Sequence, residues 1–196
     1  MDHFDPALIS VIMPCYNAAS YVEEAIASVL GQSYPQVELI VVDDGSTDGS
    51  TEILLRLATA HPERIRLIYQ NRGGPFVARN QALAQANGNF IAFLDADDTW
   101  HPDALRMMND ALEAAPADVA WCGWQAIGPA AADSQPKIPP DLDASEAVGH
   151  FLAHGPWPIN GVLIRRHLID ELRGFSERAP TAMDYDLWLR LLARQP

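Results

Sequence analysis

Phe90-Ile91-Ala92-Phe93-Leu94-Asp95-Ala96-Asp97-Asp98 runs five apolar residues directly into three carboxylates within four positions. An apolar run of that length, closed by polar turn residues, predicts a strand buried on both faces, as in a parallel sheet. Its carboxyl end is then marked by the acids. Upstream, Phe76 to Ala86 reads as a helix ended by Asn87-Gly88, and downstream Pro102 opens a helix carrying Leu105, Met108 and Leu112. The same alternation continues toward the N-terminus. Leu8 to Met13, Glu38 to Val42 and Ile65 to Tyr69 read as strands. Between them lie two helices. The first has a Ser20/Glu23 capping box, the stripe Val22, Ala25, Ile26, Val29, Leu30 and a closing Gly31; the second is Ser50 to Ala60. Toward the C-terminus the reading gives a strand over Val119 to Ala126 and an Ala- and Pro-rich surface loop from Gly128 to Pro140. A helix around Ala144 to Leu152, a strand around Gly161 to Ile164 and a helix from Asp184 to Ala193 follow. Repeated β-α units predict an α/β fold, a mainly parallel central sheet with helices on both faces.

A chain of 196 residues suits one such domain, read here as 1–196, with a half at about 8–98 and a second at about 99–196. The chain stops at Arg194-Gln195-Pro196 directly after a helix, which suggests a fragment of a longer protein. Hydrophobic residues at 48% and charged residues at 20% exclude a disordered chain. Thirteen basic against 26 acidic residues give a net charge of −13, a surface that repels nucleic acid and excludes a phosphate-tracking role. Lys137 is the only lysine, and no Gly-Lys-Ser/Thr exists, which excludes a P-loop. Cys15 and Cys122 lie in apolar stretches without metal-ligand spacing, and no signal peptide or membrane span is visible, so a cytoplasmic location is expected.

Ligands of α/β sheets bind outside the carboxyl ends of the strands. Three such ends carry polar clusters: Pro14-Cys15-Tyr16-Asn17, Asp43-Asp44-Gly45-Ser46-Thr47-Asp48 and Asp95-Ala96-Asp97-Asp98. The Asp-Asp-Gly-Ser run is also a good turn and helix cap. The third cluster differs, because three neighbouring carboxylates repel one another unless a cation sits among them; the spacing suits Mg²⁺ or Mn²⁺ with water and phosphate oxygens completing the shell. Asn71 to Asn80 adds a Gly pair before a helix bearing Arg79 and Asn80, where a cation would meet phosphate or ribose; a cation near a helix start is also ordinary solvated surface. Asp184 and Asp186 open the last helix, where either would serve as an N-cap. Trp157, between Pro156 and Pro158, reads equally as a packing anchor or a binding wall.

Taken together these segments resemble the family 2 glycosyltransferases, which have the GT-A fold. The matching pieces are Ser10-Val11-Ile12-Met13-Pro14-Cys15-Tyr16-Asn17, Val42 to Asp48, Ala78-Arg79-Asn80, Phe93 to Asp98, Gly174-Phe175 and Asp184-Tyr185-Asp186-Leu187-Trp188-Leu189-Arg190. They appear in the family's order from about Leu8 to Leu192. The resemblance implies a nucleotide-sugar donor, a divalent metal, an acceptor hydroxyl on a glycan, a lipid-linked or another molecule, and inversion at the anomeric carbon. It implies work on bacterial surface polysaccharide or glycan, with any peripheral membrane contact made through parts outside this chain. By position it assigns Pro14, Tyr16 and Asp44 to the base pocket, with Asp44 accepting from a pyrimidine ring nitrogen as in UDP or dTDP. Arg79 would contact the nucleotide, Asp95 with Ala96 the ribose side, Asp97 with Asp98 the metal, and Asp184 would be the general base. The family usually has Glu before that base, and this chain has Met183.

Two other readings use the same residues. A catalytically inactive nucleotide-sugar-binding module is compatible with Met183. Asp95-Ala96-Asp97-Asp98-Thr99 also matches the strand-end nucleophile of haloacid-dehalogenase-type phosphatases, but those need a later lysine, and Lys137 lies in the Pro-rich loop. A dinucleotide oxidoreductase fails, since no Gly-x-Gly-x-x-Gly follows the first strand.

Overall fold

The computed structural model describes residues 4–128, 131, 134–142, 144–154, 157–176 and 183–194. Residues 129, 130, 132 and 133 of the expected loop, and Pro156 beside Trp157, lie outside them. Six strands form one sheet: β1 (Asp5–Cys15), β2 (Val37–Asp43), β3 (Ile65–Tyr69), β4 (Gly88–Phe93), β5 (Val119–Trp121) and β6 (Val162–Arg165), in the order β3-β2-β1-β4-β6-β5. β1 pairs in parallel with both β2 and β4, and β2 with β3; β6 runs antiparallel to β4 and β5. β5 and β6, from the second half of the chain, thus complete the sheet begun by the first.

Alternation along each strand sends side chains to opposite faces, and both faces are covered. Ile9, Val11, Met13, Leu39 and Val41 pack beneath α1 (Val22–Leu30), α2 (Ser50–Ala60) and α4 (Ala104–Ala114). Ile12, Ile40, Val42, Ile91 and Phe93 pack beneath α3 (Pro75–Leu83), α5 (Ala144–His154), α6 (Arg166–Leu172) and α7 (Met183–Leu192). The near-continuous apolar strands are explained by this double burial.

Where the structure differs from the sequence reading, a contact remote in sequence is the cause. The Ser20/Glu23 capping box does not form. The α1 N-cap is Tyr21 without a side-chain bond, and the Ala18 carbonyl accepts from the N–H groups of Tyr21 and Val22. The amides of Ala18 and Ala19 donate to Ser50 and Asp48 across the cleft rim, at 2.9 and 3.0 Å. α4 begins at Ala104, two residues beyond Pro102. β5 spans three residues, not eight; beyond it the Cys122 N–H donates to the Gly161 carbonyl and Trp124 bridges to Lys137. Helix α6 was not legible, since it follows β6 without a linker or side-chain cap. Its buried Arg166 donates to the carbonyl of Ala86, closing the end of the α3 segment. Trp157 is a packing anchor, buried and stacked on Trp121 with ring centroids 4.0 Å apart. No described helix is long and apolar enough to cross a membrane.

Gly88 opens β4 where β1 crosses closest. A Cβ there would lie 2.4 Å from the Leu8 carbonyl oxygen and 2.8 Å from Ser10 Oγ, which accepts the Gly88 N–H. Gly88→Ala is expected to cost about 1–3 kcal/mol, the range for overpacking a tight interior, read as a lower urea midpoint with an unchanged m-value.

Candidate active site

The strand order reverses between β1 and β4, and a cleft of about 580 Å³ opens at their carboxyl ends. Pro14, Tyr16, Asp44, Arg79, Asp95, Ala96, Asp97 and Asp184 all line it, joined by Arg72, Tyr21 and Met183. Of the residues expected from sequence, Asp98 alone does not.

The run after β2 divides its work. Asp43 holds the turn, its oxygens accepting from the Ser46 N–H at 3.0 Å and the Thr51 hydroxyl at 2.5 Å. Asp44, 1% exposed, faces the cleft instead. Its Oδ1 accepts from Gln70 Nε2 and the Gly73 N–H, both at 2.6 Å; its Oδ2 accepts from Arg72 and from the Gly74 N–H at 2.9 Å. Gly74 has φ +92°, open to glycine, and this aims consecutive amides at the carboxylate just before Pro75 starts α3. Burial alone would raise the Asp44 pKa, but these four donors outweigh it and hold it below the usual value. Asp44 is therefore not the free acceptor expected from sequence but is already held by four donors. Arg72, whose guanidinium lies 3.4 Å from the centroid of the Tyr16 ring, was missed. Its partner is 28 residues away, and no local spacing announces it.

The acids after β4 also separate. Asp95 pairs with Arg79 Nη2 at 2.5 Å. Asp98 accepts from Asn160 Nδ2, just before β6, while the Asn160 carbonyl accepts the indole N–H of the buried Trp100 at 2.6 Å. Burial, then the neighbouring Asp97 and Asp95, push the Asp98 pKa up, and Asn160 opposes them. The repulsion foreseen in the sequence is real, but a buried arginine and an asparagine side chain relieve it. Asp97 is left exposed at the cleft. No group of three or more His, Cys, Asp or Glu that could hold a metal exists among the described residues. One exposed carboxylate beside a cleft nonetheless fits Mg²⁺ or Mn²⁺, which commonly take one or two carboxylates and draw the rest from water and substrate phosphates.

Arg79 is not solvated surface, one of the two readings the sequence leaves open. It is 4% exposed, and besides Asp95 its Nη1 reaches Met183 Sδ at 2.9 Å and lies 3.9 Å from Asp184 Oδ1. Its neighbour Asn80 donates to the Phe175 carbonyl and accepts the Phe175 N–H, at 2.9 and 2.8 Å. Gly174, at φ +69°, is required there because a Cβ would lie 2.5 Å from Asn80 Oδ1. Arg190 on α7 binds the carbonyls of Leu172 and Gly174 and pairs with Asp186 at 2.7 Å. Asp186 is thus tied to its own helix, while Asp184 faces the cleft. Burial raises the Asp184 pKa, Arg79 lowers it and Asp95 raises it, with a net upward shift. Cys15 also lines the cleft, but burial, reinforced by Asp43, pushes its thiol to about 12, so it is no nucleophile at neutral pH.

The model of glycosyl transferase family 2 matches residues 10–170. The chain belongs to that family. Family relatives include TuaG of Bacillus subtilis (strain 168), a glycosyltransferase named for teichuronic acid biosynthesis, 50% identical over 99 residues covering 50% of this chain and 39% of TuaG. An uncharacterized glycosyltransferase of Rickettsia conorii is 33% identical over 196 residues, 96% of this chain and 32% of that protein. The chain therefore spans well under half the length of these relatives. Among solved structures, S. aureus TarS 1-349 in complex with UDP superposes with a TM-score of 0.77 at 23% identity, over 94% of this chain and 55% of that one. A mannosyltransferase of Pyrobaculum calidifontis in complex with GDP-Man and Mn²⁺ gives 0.71 at 24% identity, over 96% and 55%. The fold is the GT-A fold shared with these solved structures.

Because the Asp44 pKa is depressed, its contribution to stability is whole above the unfolded value, near 3.9, and is lost as pH falls through the folded value. Asp44→Asn turns an acceptor of four donors into a half-matched amide. It is expected to cost about 2–3 kcal/mol at neutral pH and to flatten the acid limb of stability against pH in urea titrations.

Proposed function

We propose that this chain carries the donor site and catalytic base of an inverting, metal-assisted glycosyltransferase that uses a UDP- or dTDP-type sugar donor. The supporting observation is the convergence, in one cleft at the strand-order switch, of Tyr16, Asp44, Arg72, Asp95 and Asp97 with Asp184 from α7. The half-exposed Tyr16 ring offers a stacking face for a base. Arg72 as donor beside Asp44 as acceptor complements the edge of uracil or thymine, where a ring N–H lies next to carbonyl oxygens. Adenine has no ring N–H on that edge. The base would displace Arg72 from the face of Tyr16 and take one side-chain contact of Asp44, while the Gly73 and Gly74 amides keep the carboxylate in place.

Asp95 and Ala96 would border the ribose, and Asp97 would hold the metal, with Asp98 serving the loop from behind. Bound there, a divalent cation neutralises charge developing on the diphosphate leaving group. In its ionised form Asp184 would take the proton of the attacking acceptor hydroxyl. Similar proteins support the donor class (UDP and UDP-GlcNAc with TarS, GDP-Man and Mn²⁺ with the mannosyltransferase) and a glycan-building role, as for TuaG. The acceptor would be a hydroxyl of a surface glycan or its lipid-linked precursor, and the work would be cytoplasmic. The phosphatase reading loses support, because Lys137 pairs its backbone with Trp124 beyond β5 and does not line the cleft. An inactive binding module would bind UDP without turnover.

Asp97→Asn is expected to abolish the Mn²⁺-dependent part of UDP binding in calorimetry while the melting temperature holds, and the parent should bind UDP more tightly than ADP. Equal binding of UDP and ADP, or metal-dependent binding by the variant, would refute the assignment. Asp184→Asn in the full-length enzyme should reduce transfer by about 10²–10⁴-fold with UDP affinity within about threefold, under roughly 0.7 kcal/mol. Near-normal transfer would remove Asp184 from the mechanism.

A further inference from the structure

We propose that Arg79 is a positioning residue for Asp184, the one cation that Asp95 and Asp184 share and through which the donor side of the cleft is coupled to the base side. The proposal rests on reading Asp184 as the base, and it stands on geometry. The Arg79 side chain is 5% exposed, so its charge must be matched within the protein. Asp95 from the β4 loop takes Nη2 at 2.5 Å, and Asp184 from α7 lies 3.9 Å from Nη1. One cation therefore faces two carboxylates. Two buried atoms at this junction have no hydrogen-bond partner, Arg79 Nε and Asp184 Oδ1. The third neighbour of the guanidinium is the Met183 thioether, a weak acceptor, which leaves Nη1 able to turn toward Asp184 at little cost.

Charged groups around Asp184 are few among the described residues. From α3 it faces Arg79, from the β4 loop Asp95; on its own helix Asp186 is paired with Arg190. Arg79 favours the ionised form of Asp184, and Asp95 opposes it. Any ligand donor that engages Asp95, such as a ribose hydroxyl, disperses its charge and releases the guanidinium toward Asp184. Donor binding then readies the base before an acceptor arrives. Only the O–H bond of the protonated Asp184 carboxyl breaks in this step; its proton passes to water, and the Arg79 pairing shifts.

The test is a pH titration of the Asp184 carboxyl ¹³C signal, assigned by its loss in Asp184→Asn. The same titration is run in Arg79→Gln, Arg79→Lys, Asp95→Asn and Met183→Leu. The Asp184 pKa should rise in Arg79→Gln and fall in Asp95→Asn. It should rise less in Arg79→Lys, which keeps the charge and loses the fork, and stay in place in Met183→Leu, which removes no charge. Saturating UDP with Mg²⁺ should lower it in the parent and not in Arg79→Lys. An unmoved or lowered pKa in Arg79→Gln overturns the proposal, as does an unmoved value in the UDP-saturated parent. If Arg79→Gln fails to fold, the Arg79→Lys and Asp95→Asn pair decides by the same signs. Calorimetry with UDP judges the donor reading separately: a parent that binds no UDP refutes that reading, while the Arg79 variants still judge the shared cation.

Discussion

A buried guanidinium organises this molecule. Arg79 is desolvated under the cleft floor, and an unmatched charge there would cost several kcal/mol. The fold meets that cost by bringing the β4 loop and the first turn of α7 to α3, which is why Asp95 and Met183-Asp184 lie on its two sides. The next residue, Asn80, grips the backbone of Phe175, and Arg190 of α7 closes the same turn from behind. Ala78-Arg79-Asn80, Gly174-Phe175 and Asp184 to Arg190 are far apart in the chain. In three dimensions they are one interlock that sets α7 against the cleft.

The same economy of charge governs the acids. With a net charge of −13, an acidic cleft that is proposed to take an anionic donor needs its carboxylates assigned to partners. Asp43 is consumed by a turn, Asp44 by two amides and two side chains, Asp95 by Arg79, and Asp98 by Asn160. Asp97 remains open to the cleft, the position of its run that the proposed cation would occupy.

Much of this was legible in the sequence where a local period carried it. α2 and β3 have the bounds that apolar spacing predicts, and the switch-point cleft lies where the polar strand ends placed it. What was not legible depended on partners remote in sequence. The Ser20/Glu23 box does not form where Ser50 and Asp48, 32 and 29 residues away, hold the amides of Ala18 and Ala19. Asp98 looks like a metal ligand in a linear reading, and only the packing of Asn160, 62 residues on, turns it away. The sequence leaves Arg79 open between solvated surface and a phosphate or ribose contact, because nothing adjacent signals that two carboxylates will enclose it.

The central claim, a UDP-type donor held at the switch point with its cation on Asp97, is tested most directly by crystals grown with UDP and Mn²⁺. An anomalous map at the manganese edge would locate the metal. The account predicts one peak between the Asp97 carboxylate and the diphosphate, with uracil on Tyr16, its edge at Asp44 and Arg72, and Asp98 still bound to Asn160. A peak on Asp98 with Asn160 displaced, or UDP seated outside this cleft, would contradict it.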